Sequence, residues 1–338
     1  MRFAVVGAGA IGGYLGARLS LAGHEVVFLA RNKNLAAIGA GGFRLVLEDG
    51  REEHASAVRA VADAADAGPQ DAVLLTVKAH QVTDVLPALQ QLVGAETMLV
   101  TMTNGIPWWY FQKLPGEWQD RTLDSVDPGG VLASAIDPER VIGSVVYPAA
   151  ELLAPGKVRV IEGNRFTLGE LDGSRSERVE RLSKAMMEAG FKAPVSKDIR
   201  AEIWLKLWGN CSFNPVSALT HATLEGICRD ADGRALVAAM MAEAEAVADK
   251  LGVVFKISID QRIAGAEAVG AHKTSMLQDV ENGRAIELDA LVGSVVELAR
   301  ITATPVPTIA AIHRAAGLLS RTLAAAQGRL QMQRIGSD

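Results

Sequence analysis

The sequence predicts an α/β first half, doubly wound around a parallel sheet, and an all-α second half. Three observations carry this prediction. Short apolar, β-branched runs at residues 4–6, 26–29, 71–77 and 98–102 alternate with helical segments, the pattern of parallel strands joined by crossover helices. The first run leads directly into Gly7-Ala8-Gly9-Ala10-Ile11-Gly12, with Gly13 and Gly16 extending the small-residue spacing into a helix over 11–22. Beyond about residue 196 the strand signal fades, and alanine, leucine and methionine recur at helical spacing. A chain of 338 residues exceeds the size at which one core keeps growing. The expected division is a Rossmann-type dinucleotide-binding domain over 1–195, a helical domain over 196–328 and a polar tail over 329–338.

Taken in order, the strand at 4–6, the glycine turn, the helix and a second strand at 25–30 make one βαβ unit. In that context each glycine has a task. Gly7 permits the strand-to-helix turn, Gly9 lets backbone approach a pyrophosphate, and Gly12 lets the helix pack close on the strand. The N–H groups around Ala10 and Ile11, at the helix start, face the anion. The second strand ends in Leu29-Ala30-Arg31-Asn32-Lys33, where an acidic residue would hold the ribose 2′-hydroxyl of NAD. Two cations and an amide suit the 2′-phosphate of NADP instead, with Arg31 the clamp because its planar fork matches phosphate oxygens. A solvated basic loop accounts for the same residues.

Residues 43–47, followed by Glu48-Asp49-Gly50, read as one arm of a hairpin whose second arm lies near 53–58. Runs at 141–147, 157–161 and 165–168 are expected to extend the sheet with antiparallel strands. Residues 235–251, 288–302 and 309–327 read as helices.

Composition narrows the function. A net charge of −5 lacks the basic surface that nucleic-acid binding needs. Two cysteines, Cys211 and Cys228, are too few for a disulfide framework, and the six histidines show no metal-ligand spacing. No apolar stretch of about 18 residues escapes charges, and no signal-peptide cleavage pattern is visible, which predicts a cytoplasmic protein without membrane partners. Alanine-rich helices leave a homodimer open, and a helical core explains them equally.

The segment Arg200-Ala201-Glu202-Ile203-Trp204-Leu205-Lys206-Leu207-Trp208-Gly209-Asn210-Cys211-Ser212-Phe213-Asn214-Pro215 is unusual. On a helix, Lys206, Asn210 and Asn214 drift only about 80° and share a face, amid large apolar neighbours. A snorkelling surface lysine and an ammonium facing a cleft both fit this pattern. Asn210 and Asn214 also fit a helix end ahead of Pro215.

The chain resembles the ketopantoate reductases (2-dehydropantoate 2-reductases) nearly end to end. The resemblance is carried by Gly7-x-Gly9-x-x-Gly12, Val77-Lys78, Asn104-Gly105, Trp204-Leu205-Lys206-Leu207-x-x-Asn210-x-x-x-Asn214-Pro215, Thr274-Ser275-Met276-Leu277-Gln278-Asp279 and Glu287-Leu288-Asp289. It implies that Lys206 is the catalytic lysine, Glu287 its acidic partner, and Asn210, Asn214 and Ser275 substrate contacts. It places Asn104 where nicotinamide meets substrate, and Lys78 near the cofactor. It also implies NADP(H) as cofactor and a small 2-keto acid as substrate, with 2-dehydropantoate first. Ser275, with Gln278 three residues on, also reads as a helix cap.

Two features depart from the pattern. The aromatic run Trp108-Trp109-Tyr110-Phe111 follows Asn104 closely, and it either packs under a loop or walls the substrate pocket. Leu224 stands ten residues after Asn214, where some of these reductases carry another substrate-binding asparagine. The alternatives left open are a related 2-hydroxyacid dehydrogenase for a bulkier or aromatic 2-keto acid, and a non-catalytic NADP sensor.

Overall fold

The computed structural model describes residues 1–333. The chain divides into two compact units, Met1–Glu202 and Ile203–Asp338, and the boundary falls inside one helix.

In the first unit a seven-stranded sheet is built from β1 (Arg2–Val6), β2 (Glu25–Leu29), β5 (Arg59–Val61), β6 (Ala72–Leu75), β7 (Met98–Thr101), β8 (Val141–Val146) and β11 (Phe166–Glu170). Its order is β11-β8-β7-β6-β1-β2-β5, parallel except for β11, which runs antiparallel beside β8. Setting β11 aside, this is the Rossmann strand order, and its switch point lies between β1 and β6. The central strands β1, β6 and β7 are buried on both faces, so they read as continuous apolar runs without alternation.

A second, four-stranded sheet has the order β4-β3-β10-β9, from β3 (Phe43–Val46), β4 (Glu52–Ala55), β9 (Ala149–Ala154) and β10 (Lys157–Glu162). Helix α1 (Ala10–Leu21) lies between the two sheets, and its glycines make that possible. A Cβ on Gly16 would stand 2.3 Å from the Phe28 ring of the large sheet, and one on Gly13 would stand 2.3 Å from the Phe43 ring of the small sheet. Phe28 and Phe43 stack with centroids 5.1 Å apart. Arg18, farther along the helix, holds Glu53 of β4 through a 2.8 Å ion pair.

Several expectations are corrected here. Strand β8 joins the sheet parallel to β7, in keeping with its complete burial, and only β11 of the later runs extends it antiparallel. Strand β10 does not extend that sheet at all. It alternates buried Val158 and Val160 with exposed neighbours, the mark of a strand with one wet face, and pairs parallel with β3. Residues 149–154, for which no strand was predicted, form β9, and β5 follows the predicted hairpin into the large sheet.

The second unit is helical, with α7 (Leu224–Arg229), α8 (Ala231–Lys250), α9 (Ile259–Ala268), α10 (Ser275–Glu281), α11 (Ser294–Ile301) and α12 (Pro307–Ala326). Helix α6 (Ile199–Thr220) carries the boundary between units. It does not end before Pro215, as the turn reading of the asparagines required. Phe213, Val216, Ser217 and Ala218 are all buried around the proline, and that packing outweighs the lost backbone bond. Of the predicted polar tail, residues 329–333 follow α12 without regular structure, and 334–338 lie outside the described residues. Among the described residues no helix is long and apolar enough to cross a membrane.

Candidate active site

In the first unit the glycine loop follows β1, and Thr76 and Lys78 follow β6, so both line the carboxyl ends of the strands that flank the switch point. Gly7 has φ of +114°, a conformation open chiefly to glycine. A Cβ on Gly12 would lie 2.0 Å from the Gly7 carbonyl oxygen and 2.5 Å from Thr76 Oγ1, so the helix can start here only without a side chain. Gly9, by contrast, has open space around the place of a Cβ. It begins α1 without a side-chain cap, leaving the first N–H groups of a 12-residue helix to other acceptors. That cradle, bare of side chains at the positive end of a helix dipole, suits a diphosphate.

Arg31 stands one residue past Ala30, in extended backbone at the start of α2 (Asn32–Gly41). It is exposed and makes no ion pair with any described residue. Asn34, one turn later, donates from Nδ2 to the Ala8 carbonyl at 3.1 Å and ties this loop to the glycine turn. Lys78 lies three residues beyond the end of β6 and begins a 3-10 turn, its backbone N–H donating to Gln81 Oε1 at 3.1 Å. Asn104 is half-buried in the turn after β7, next to Gly105 at φ +85°.

The aromatic run after Asn104 is core. Trp108, Trp109, Tyr110 and Phe111 are each at most 3% exposed, which removes them as a wall open to ligand. Trp109 Nε1 donates to Thr101 Oγ1 at 2.9 Å. Arg200 clamps the segment, donating to the carbonyls of Tyr110 (2.7 Å), Gln112 (2.7 Å) and Leu171 (2.6 Å). Burial pushes this guanidinium pKa down, and the three carbonyls take one N–H from each of its nitrogens. Thr76 and Arg200 are the residues that sequence reasoning missed as supports of the site. Thr76 Oγ1 lies 2.8 Å from the Gly7 carbonyl, to which it donates, and its signal was only its place beside Val77-Lys78.

In the second unit α6 presents Lys206, Asn210 and Asn214 on one face, while Trp204, Leu207, Trp208 and Cys211 are buried around the rest. Trp208 is fixed by stacking on Phe255 at 4.1 Å and by donating from Nε1 to the Met241 carbonyl at 2.9 Å. Lys206 is thus held on a rigid helix. Burial lowers its ammonium pKa to about 8, and the Glu287 carboxylate acts in the opposite sense, favouring the charged form.

Glu287 is buried, at 9% exposure, directly before the helical turn at Leu288. Asn214, 4% exposed, donates from Nδ2 toward Ser275 Oγ at 3.4 Å, so α6 and α10 bring these two predicted substrate contacts together. Ser275 is not the helix cap. Thr274 takes that role, its Oγ1 accepting from Leu277 N–H at 3.2 Å, which leaves the exposed Ser275 hydroxyl for other partners. Both cysteines are buried, and burial pushes the Cys211 thiol up to about 12, far from a nucleophile. Leu224 is half-buried at the start of α7, its N–H donating to the His272 carbonyl at 3.0 Å.

Comparison with known proteins agrees with this arrangement. Residues 3–112 match the family model described as ketopantoate reductase PanE/ApbA, and residues 198–319 match its C-terminal counterpart. The chain is similar to the 2-dehydropantoate 2-reductase of Mesorhizobium japonicum, with 54% identity over 92% of this chain and 95% of that one. A crystal structure from Ralstonia solanacearum MolK2 is 41% identical and superposes with a TM-score of 0.90 over 95% of this chain and 98% of its own. That of 2-dehydropantoate 2-reductase from Methylococcus capsulatus is 27% identical with a TM-score of 0.82, over 96% and 98%. The glycine cradle on one unit, the lysine helix on the other and these matches lead to one conclusion: the chain belongs to the ketopantoate reductase family.

Proposed function

We propose that this protein reduces 2-dehydropantoate to pantoate at the expense of NADPH, and that it does so in the cytoplasm as a step of pantothenate and coenzyme A synthesis. Family membership supports the reaction class, and one observation carries the mechanism. Lys206 shares one face of α6 with Asn210 and Asn214, where burial lowers its pKa to about 8 and the Glu287 carboxylate acts in the opposite sense.

When bound, the reduced nicotinamide supplies the hydride. The division of labour we assign gives the first unit the cofactor. Its glycine cradle from Gly7 through Gly9, Ala10, Ile11 and Gly12 takes the diphosphate, and exposed Arg31 takes the 2′-phosphate. Lys78 and Asn104, at the carboxyl ends of the strands, face the same ligand, with Asn104 also reaching substrate. The second unit holds the keto acid through Asn210, Asn214 and Ser275.

As hydride reaches the ketone carbon, negative charge grows on its oxygen. An ammonium there is worth more in the transition state than in the ground state. Lys206 then gives its proton to that oxygen, yielding the alcohol and a neutral amine that solvent reprotonates. A pKa near 8 suits the transfer, since the group is protonated at neutral pH yet gives up its proton more readily than an ordinary lysine. Glu287 keeps the ammonium charged and oriented, and it is positioned to accept from a substrate hydroxyl.

The test follows absorbance of NADPH with 2-dehydropantoate, phenylpyruvate and a branched 2-keto acid. The expected result is the highest kcat/KM on the first. Good rates on the others with none on 2-dehydropantoate would reassign the substrate, and no turnover on any would leave the sensor reading.

A further inference from the structure

The proposed reaction gives no task to Asp289, the last residue of the Glu287-Leu288-Asp289 motif, nor to the irregular turn it begins. Residues Asp289–Gly293 form a π-turn, with the Ser294 N–H donating to the Asp289 carbonyl five residues back. Just upstream the ladder is ordinary, with Leu291 N–H donating to the Glu287 carbonyl at 3.2 Å. A π-turn adds one residue to the helical ladder, and such turns recur at functional sites. One added residue rotates whatever precedes it by about 100° around the helix axis. What precedes it here is Glu287, whose carboxylate acts on Lys206.

The outer side of this turn is closed by a contact from another helix. Asp289 Oδ1 lies 3.7 Å from Nε2 of His313, which comes from α12. Gly293 makes the approach feasible. A Cβ at that position would sit 3.2 Å from Asp289 Oδ1 and 3.3 Å from His313 Nε2, between the two groups. Ser294 Oγ adds a bond to the Ala290 carbonyl at 2.8 Å, across the same turn.

We propose that Asp289 and His313 are positioning residues of the reductase, pinning the π-turn in the register that directs the Glu287 carboxylate at Lys206. The inference rests on the reductase reading, because that reading gives Glu287 its role. Neither residue touches the reacting atoms in this account. Their effect passes through Glu287.

Wild-type turnover of 2-dehydropantoate is measured first and tests the reductase reading by itself. Against that rate, Asp289→Ala and His313→Ala are each expected to lower kcat by about fivefold, with KM for NADPH unchanged. Both should also move the alkaline limb of the pH–rate profile to lower pH, since Glu287 raises the Lys206 pKa and would no longer face it. His313→Gln, which keeps a donor beside Asp289, should restore the limb. The Asp289 side chain is 74% exposed, so its truncation leaves the core intact, and thermal denaturation checks this. An active wild type whose alanine variants keep both rate and limb would overturn the proposal. So would a lowered rate with the limb unmoved, the result of a merely structural contact.

Discussion

The two units build their sites from different materials. The first uses backbone. Its cradle is defined by what is missing, at Gly7, Gly9 and Gly12, where a side chain would collide or crowd a diphosphate. The second uses side chains on α6, α10 and the turn before α11, and the first of these helices is fixed behind its polar face by Trp208 stacked on Phe255. A backbone site tolerates almost no substitution at its glycines, yet it reveals only that a nucleotide-like anion binds. A side-chain site can be retuned residue by residue, and we propose that substrate and proton transfer are decided there. The contrast makes a testable separation: damage to the first unit's cofactor-facing residues should appear in cofactor affinity, and damage to the second unit's polar face in turnover.

The sharpest test of that separation is Lys206→Ala, which should lower kcat by at least about 10²-fold with NADPH affinity within about twofold of wild type, read by fluorescence titration. Arg31→Ala should do the reverse. KM for NADPH is expected to rise about tenfold with kcat preserved, while KM for NADH stays unchanged, because only NADPH carries the phosphate we assign to Arg31. Equal losses with both cofactors would break the comparison on the cofactor side. Gly13→Ala sharpens it differently. Its Cβ would enter the space of the Phe43 ring, so a loss of about 1–3 kcal/mol in denaturant unfolding is expected, with kinetic constants little changed. The smallest effect concerns Cys211. With its thiol pushed up to about 12, native protein should show no inactivation by a thiol reagent under conditions where unfolded chain is labelled.

The same difference explains how much was legible in the sequence. The βαβ unit with its glycine loop was readable from residues alone, since a strand, a φ-positive glycine and a close helix crossing leave a local signature. Buried strands β6 and β7 were equally plain as unbroken apolar runs. What failed was non-local. Strand β10 was assigned to the wrong sheet because its partner β3 lies more than a hundred residues earlier, and β9 was hidden because its mostly exposed residues leave no inward–outward alternation. The helical reading of Lys206, Asn210 and Asn214 agrees with α6, and only tertiary burial removes the alternative of a helix end ahead of Pro215. Thr274 and Ser275 compete for one cap, and backbone conformation settles the choice for Thr274. The roles proposed for Lys206 and Glu287 came only through family resemblance. They lie 81 positions apart, and no periodicity links them.

The most direct measurement of the central claim is the pH dependence of kcat/KM for 2-dehydropantoate from about pH 6 to about pH 10, for wild type and Glu287→Gln. If the Lys206 ammonium is the proton donor, the wild-type value is level below about 8 and falls tenfold per pH unit above it, because the amine form cannot donate. In Glu287→Gln the fall should begin at lower pH, since the carboxylate that favours the charged form is gone. A wild-type profile that stays level through about pH 10, or a break that Glu287→Gln leaves in place, would contradict the account.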